Sequence, residues 1–148
     1  MSKLKKKSKL QKNKEDVHSQ YWMRKCYRLW SITIRNYSDY KCTICGSDRF
    51  TQAHHLLPKE AYFLHSFNPR VGITLCSACH KFGKRSAHKN ALWFADWLKT
   101  NRPEQYGWCM RRIEEFSSRP KKKVDWPDLK AVFDNLNKFN FKDLNWDN

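Results

Sequence analysis

Two Cys-x2-Cys pairs, Cys42–Cys45 and Cys76–Cys79, constrain this chain more than any other feature. Each pair can present two thiolates to one tetrahedral ion at about 2.3 Å, so together they predict one zinc site formed by Cys42, Cys45, Cys76 and Cys79. A site closed by four protein ligands has no open position. The zinc is therefore predicted to be structural and to contribute folding free energy directly. Gly46, directly after Cys45, suits the turn the backbone must make around the metal. The thirty residues between the pairs exceed ordinary zinc-ribbon spacing, so something must fold between the two knuckles.

Cysteine usage and hydropathy bound the setting. No segment reaches the roughly 18 apolar residues a membrane span needs, and no apolar run follows the N-terminal lysines. An intracellular, cytoplasmic chain is expected, with its six cysteines serving as ligands or free thiols and not as disulfides. The formal net charge is +16 in 148 residues. Residues 1–14 hold seven lysines and no acid, residues 15–120 hold seventeen basic and nine acidic groups, and residues 121–148 are nearly balanced. Both arm and body are thus basic, which points to a polyanionic partner, most simply nucleic acid, over a mere solubility surface.

The chain then divides into three stretches. Residues 1–16 are a like-charged run, predicted to be a disordered arm when free. Residues 17–120 form the body, and 121–148 a C-terminal linker and helix. Trp22, Cys26, Leu29, Trp30 and Thr33 recur at helical spacing and predict an amphipathic helix over 21–35, with Cys26 in its core stripe. Residues 37–51 read as a zinc knuckle. A short strand over 51–57 ends at Pro58, a loop with one helical turn covers 59–70, and a second strand covers 71–75. A helix is predicted from Cys79, interrupted at Gly83. Another over 90–100 is predicted to bury Leu92, Trp93, Ala95, Trp97 and Leu98. Pro103 opens a helix over 103–117 with Tyr106, Cys109, Met110, Ile113 and Phe116 apolar. After a linker over 120–123, Asp125 is expected to cap a last helix, with Pro127 in its first turn and Leu129, Val132, Phe133 and Leu136 on one face. The pattern predicts an α+β fold with few, central strands and flanking helices.

The informative residues lie between and beside the knuckles: His54, His55, Asn68, His80 and His88. If 52–57 is extended, His54 and His55 point to opposite faces, so one can bind a metal while the other meets a substrate. His80 follows the last cysteine, so the zinc itself sets its direction. Such residue types suit phosphodiester hydrolysis. Neutral histidine can activate water near pH 7, and a divalent metal neutralises charge at the scissile phosphate.

At these residues a resemblance becomes specific. The stretch from Cys42 to His88 resembles the HNH endonuclease motif, the ββα-metal or His-Me finger fold. AHHLLP resembles its first-strand signature, and ITLCSACHKFGK its second strand and helix start. The run SAHKNALWFADWLKTNRPEQY is similar to phage-encoded, NinG-like recombination endonucleases. The motif covers about a third of the chain. The resemblance implies a zinc-stapled ββα-metal core with flanking helices. It also implies a DNA endonuclease using one catalytic divalent metal, Mg²⁺, Mn²⁺, Ni²⁺ or Zn²⁺. It makes His55 the general base, His54 and His80 ligands of that metal, and Asn68 the residue that braces the hairpin and orients the base. The chain departs from the family in two places. Asn68 stands farther from the second strand than usual, and the turn after His80 offers only Gly83 and Lys84. Either His88 supplies the missing ligand because Gly83 bends the chain, or water and phosphate complete the metal. Lys84 and Arg85 are placed to hold DNA phosphate in both cases. Two other classes stay open. One is a noncatalytic zinc-binding nucleic-acid module, and the other a zinc-stabilised protein with a phage or restriction-complex protein partner.

Overall fold

The computed structural model describes residues 7–118 and 125–147. The predicted linker over 120–123 and the first six residues of the basic arm lie outside them. The fold is mixed helix and sheet. Helix α1 is Lys9–Glu15, α2 Gln20–Tyr37, α3 Ala91–Asn101, α4 Pro103–Ser118 and α5 Leu129–Lys138. Strands β1, Gln52–His55, and β2, Gly72–Leu75, pair antiparallel, with His54 opposite Ile73 and His55 opposite Gly72. No helix among the described residues is long and apolar enough to cross a membrane.

The hairpin is the layer between two cores. On one face lies α2, whose buried residues Trp22, Cys26, Trp30 and Ile34 recur every fourth position and so form one ridge. Close approach of that ridge depends on Gly72. A Cβ there would stand 2.4 Å from Ile34 Cδ1 and 2.8 Å from the Trp30 ring, so the helix rests on bare backbone. Thr74, the next residue on that face, donates its hydroxyl to Ile34 O at 3.1 Å. Leu57, Phe67, Val71, Trp108, Cys109, Leu129 and Leu136 complete this core. On the other face Ile73 and Leu75 pack with Cys42, Cys76, Ala87, Phe94 and Leu98. Alternation along β1 and β2 therefore sorts side chains between an α2 side and a cysteine side.

Helices α4 and α5 lock this arrangement. The buried amide of Gln105 donates to Arg70 O at 2.8 Å and Gly72 O at 2.9 Å, tying α4 to the start of β2. Cys26, buried as expected, donates its thiol to Leu129 O at 3.1 Å, and burial pushes that thiol up to about 11.

Several sequence expectations are corrected. The charged arm was expected to lack structure, yet Lys9–Glu15 is helical. A capping box between Ser8 and Gln11 starts the helix, and the Trp22 indole donates to Lys14 O. In α3, Leu92 is 87% exposed and Ala95 is exposed, while Phe94 is buried. A helix docked at one end of a small core buries a narrower stripe than its composition suggests. Phe116 is exposed near the end of α4, because the core positions of that helix are Gln105, Trp108 and Cys109 in its first two turns. Asp128, not Asp125, caps α5, because its carboxylate accepts Ala131 N–H at 3.0 Å, which leaves Pro127 before the helix.

Candidate functional site

The knuckles form first, from local backbone geometry. Gly46 adopts φ +73°, a left-handed conformation that a side chain would strain. This lets Gly46 N–H reach Cys42 O and Cys42 N–H reach Ser47 O, each at 2.8 Å. The loop is anchored to the hairpin where Thr43 N–H donates to Thr74 O. Opposite it, Cys79 N–H donates to Cys76 Sγ at 3.5 Å. The four thiols of Cys42, Cys45, Cys76 and Cys79 lie within 4.8 Å of one another and could hold a metal ion such as zinc. Cys45 and Cys76 Sγ are 3.6 Å apart. A tetrahedron with Zn–S bonds of about 2.3 Å has edges of about 3.8 Å, so the spacing fits a thiolate zinc site. Burial and the neighbouring Cys42 push the Cys79 thiol well up. Against the raising effect of burial, hydrogen bonds from the Cys79 backbone and the neighbouring thiols lower the Cys76 pKa, so a first thiolate is favoured and a cation would offset the repulsion among the others.

Immediately after Cys76 the chain makes a π-helical turn, Ala78–Phe82, and leaves it in extended conformation at Gly83. This replaces the ordinary α-helix expected from Cys79. The wider turn changes which residues meet. His88 N–H returns to donate to His80 O at 3.1 Å, and Ala87 N–H to Cys79 O at 2.9 Å. The loop 83–88 is folded back onto the turn, and His88 arrives beside His80. Ring nitrogens of His54, His80 and His88 all lie within 4.8 Å of one another, close enough to share an ion. Nε2 of His80 and Nε2 of His88 are 3.2 Å apart. Two ligands on a tetrahedral ion with bonds of about 2.0–2.1 Å would sit about 3.3 Å apart.

Gln52, not anticipated from the sequence, orients one member of this trio. Its Oε1 lies 2.9 Å from His80 Nδ1. An amide oxygen only accepts, so Nδ1 carries the proton and Nε2 keeps its lone pair toward His88. Period-two alternation was the available signal, since Gln52 and His54 share a face of β1. Burial, then the neighbouring imidazoles of His80 and His88, push His54 down to about 3. Burial, then His88 and Lys81, push His80 down to about 4. Both rings are therefore uncharged at neutral pH, the form a ligand requires. No carboxylate belongs to the trio. An all-imidazole set suits Ni²⁺ or Zn²⁺ better than Mg²⁺.

His55 faces the other way. Its ring stacks on Trp30 at 3.8 Å between centroids and meets Tyr27 edge-on. Nε2 lies 2.8 Å from Ser66 O, a carbonyl that can only accept. Nδ1 is thus the nitrogen left with a lone pair. Burial lowers the His55 pKa from the ordinary 6.5, against the raising effect of the Ser66 carbonyl.

Asn68 does not touch His55 through any described hydrogen bond. Its side chain accepts Arg70 N–H at 2.9 Å and caps the 3-10 turn Pro69–Val71 that leads into β2. Its carbonyl accepts the Trp30 indole N–H at 3.1 Å. The connection to the His55 ring is indirect, through Trp30 and the loop that carries Ser66. Lys84 and Arg85 are both exposed, on the loop between His80 and His88.

No protein-family model matches this chain, nor does any curated protein or solved structure.

Proposed function

We propose that the chain is an HNH-type, metal-dependent DNA endonuclease that hydrolyses phosphodiester bonds. One observation carries the reading: β1 sends two adjacent histidines into two different surroundings. His54 joins His80 and His88 in a neutral imidazole trio, while His55 is stacked, hydrogen-bonded and left with one free nitrogen on the opposite side. Simple nucleic-acid binding requires neither arrangement.

In this reading Cys42, Cys45, Cys76 and Cys79 hold a structural zinc, and His54, His80 and His88 hold the catalytic divalent metal. The chemistry such a bound metal supplies is charge neutralisation at the scissile phosphate and the leaving 3′ oxygen. His55 Nδ1 takes a proton from the attacking water, and the Ser66 carbonyl steadies the imidazolium that results. Trp30 holds the ring plane while Lys84 and Arg85 grip phosphates, so recognition rests on backbone and shape more than on base edges.

The test is supercoiled plasmid cutting with Mg²⁺, Mn²⁺ or Ni²⁺, comparing the parent with a His55→Ala variant that retains one zinc. The parent is expected to cut, and the variant to lose about 10²–10⁴-fold in rate. Equal cutting by both would remove His55 from the mechanism. Salt-sensitive DNA binding without cutting under any metal would favour a noncatalytic zinc-binding module.

A further inference from the structure

Phe82 has no part in the chemistry above. It closes the π-helical turn two residues after His80, yet it is 71% exposed. Its backbone is held on both sides. Gly83 N–H donates to Ala78 O at 2.8 Å, and Lys89 Nζ donates to the Phe82 carbonyl at 3.0 Å. The ring is therefore presented to solvent from a fixed backbone. A preorganised aromatic of this kind makes an effective binding anchor, because little freedom is left to lose on contact.

Its surroundings narrow the partner. Lys81, Lys84, Arg85 and Lys89 are all exposed, and the chain carries no acidic residue between Glu60 and Asp96. An apolar protein surface would leave these cations unpaired, and a featureless polyanion would leave the ring in water. Nucleic acid answers both, with phosphates for the cations and a π-face on every base for the ring. Resting on the DNA-directed reading above, we infer that Phe82 is a wedge that inserts between bases of bound DNA and unstacks one step beside the histidine site. Unstacking costs free energy, which is offset when the opened step lets the backbone approach the basic loop more closely. Because Phe82 and His80 share one turn, the disturbed step lies next to the phosphate the histidines would face.

The test uses the full chain, zinc-loaded and without other divalent metal, on short duplexes carrying 2-aminopurine at successive positions. Bound parent is expected to raise the fluorescence at defined positions. Phe82→Ala should bind about tenfold or more weakly and lose the rise, with its salt dependence unchanged because the cations remain. Phe82→Trp should keep both. Lys84→Ala should lower the salt slope by about one and leave the rise per bound complex intact. The inference is overturned if the parent binds without a rise at any position, or if it does not bind DNA. It is equally overturned if Phe82→Ala, with native zinc content, behaves as the parent does. The two readings separate cleanly. Unstacking without plasmid cutting removes the nuclease and keeps the wedge, whereas normal cutting and binding by Phe82→Ala does the reverse.

Discussion

Gln52 decides which nitrogen of His80 is available to the imidazole trio. Replacing the acceptor should therefore be felt as lost affinity. Gln52→Ala is expected to weaken Ni²⁺ or Mn²⁺ binding at the histidine site by about 10–100-fold, with one zinc still bound by the cysteines. Gln52→Glu, which keeps an oxygen acceptor in place, should recover most of it. Calorimetric titration of the zinc-loaded protein measures both, and unchanged affinity in the alanine variant would place the added ion elsewhere. His55 has its own signature. Its lowered pKa means that the base form persists below the ordinary histidine value of 6.5. The cutting rate should rise with pH through a midpoint below 6.5 and flatten above it, because only unprotonated Nδ1 can accept a proton. A midpoint above 6.5 in a pH–rate profile would contradict the buried, stacked placement of the ring.

At the scale of elements, the site depends on how α2 meets the hairpin. Trp30 stacks on His55, its indole bonds Asn68 O, and its ridge neighbour Ile34 crosses Gly72. One helix therefore sets the orientation of the His55 ring and the approach of the second strand. Gly72→Ala inserts a methyl where atoms already stand 2.4 Å and 2.8 Å away. Ile34 Cδ1 can move, but the Trp30 ring cannot without disturbing His55. The variant should lose about 1–3 kcal/mol of stability in chemical denaturation, and plasmid cutting should fall with it. An unaltered midpoint would mean that α2 does not rest on the strand. The π-helical turn is the second such element. It brings the Nε2 atoms of His80 and His88, eight positions apart in sequence, to 3.2 Å of one another, closer than the rise of a regular α-helix would allow.

For the whole molecule, the cysteine-side core is small, and two of its buried members, Cys42 and Cys76, are candidate ligands themselves. Ile73, Leu75, Phe94 and Leu98 have few alternatives to packing around a filled knot. Removing the metal should therefore unfold more than the knuckles. Chelation, or Cys76→Ser, is expected to broaden and lower the thermal transition and to abolish metal binding at the histidines, since His80 takes its direction from the turn that Cys76 opens. Circular dichroism with metal analysis checks this. A chelated protein that melts as the parent does would show that packing alone holds the knot.

By itself the sequence determined the parts whose signal is local or pairwise in type. Two Cys-x2-Cys pairs specify a four-thiol cluster because four soft ligands at that spacing have little else to do. The ridge from Trp22 to Trp30 and the proline opening α4 mark elements through periodicity and backbone restriction, whereas the first strand stops at His55, short of the expected end at Pro58. Adjacent His54 and His55 had to part company once residues 52–55 were extended. Tertiary structure alone decided the rest. That His88 stands beside His80 follows from a turn whose width no propensity encodes. That the Asn68 carbonyl accepts the Trp30 indole, that Gln52 holds a histidine, and that Leu92 and Phe116 face solvent all depend on which elements pack together. The physical reason is that periodicity reports which side of an element is apolar. Only the packed core determines how much of that side is covered, and which atoms from distant parts of the chain are brought within hydrogen-bond reach.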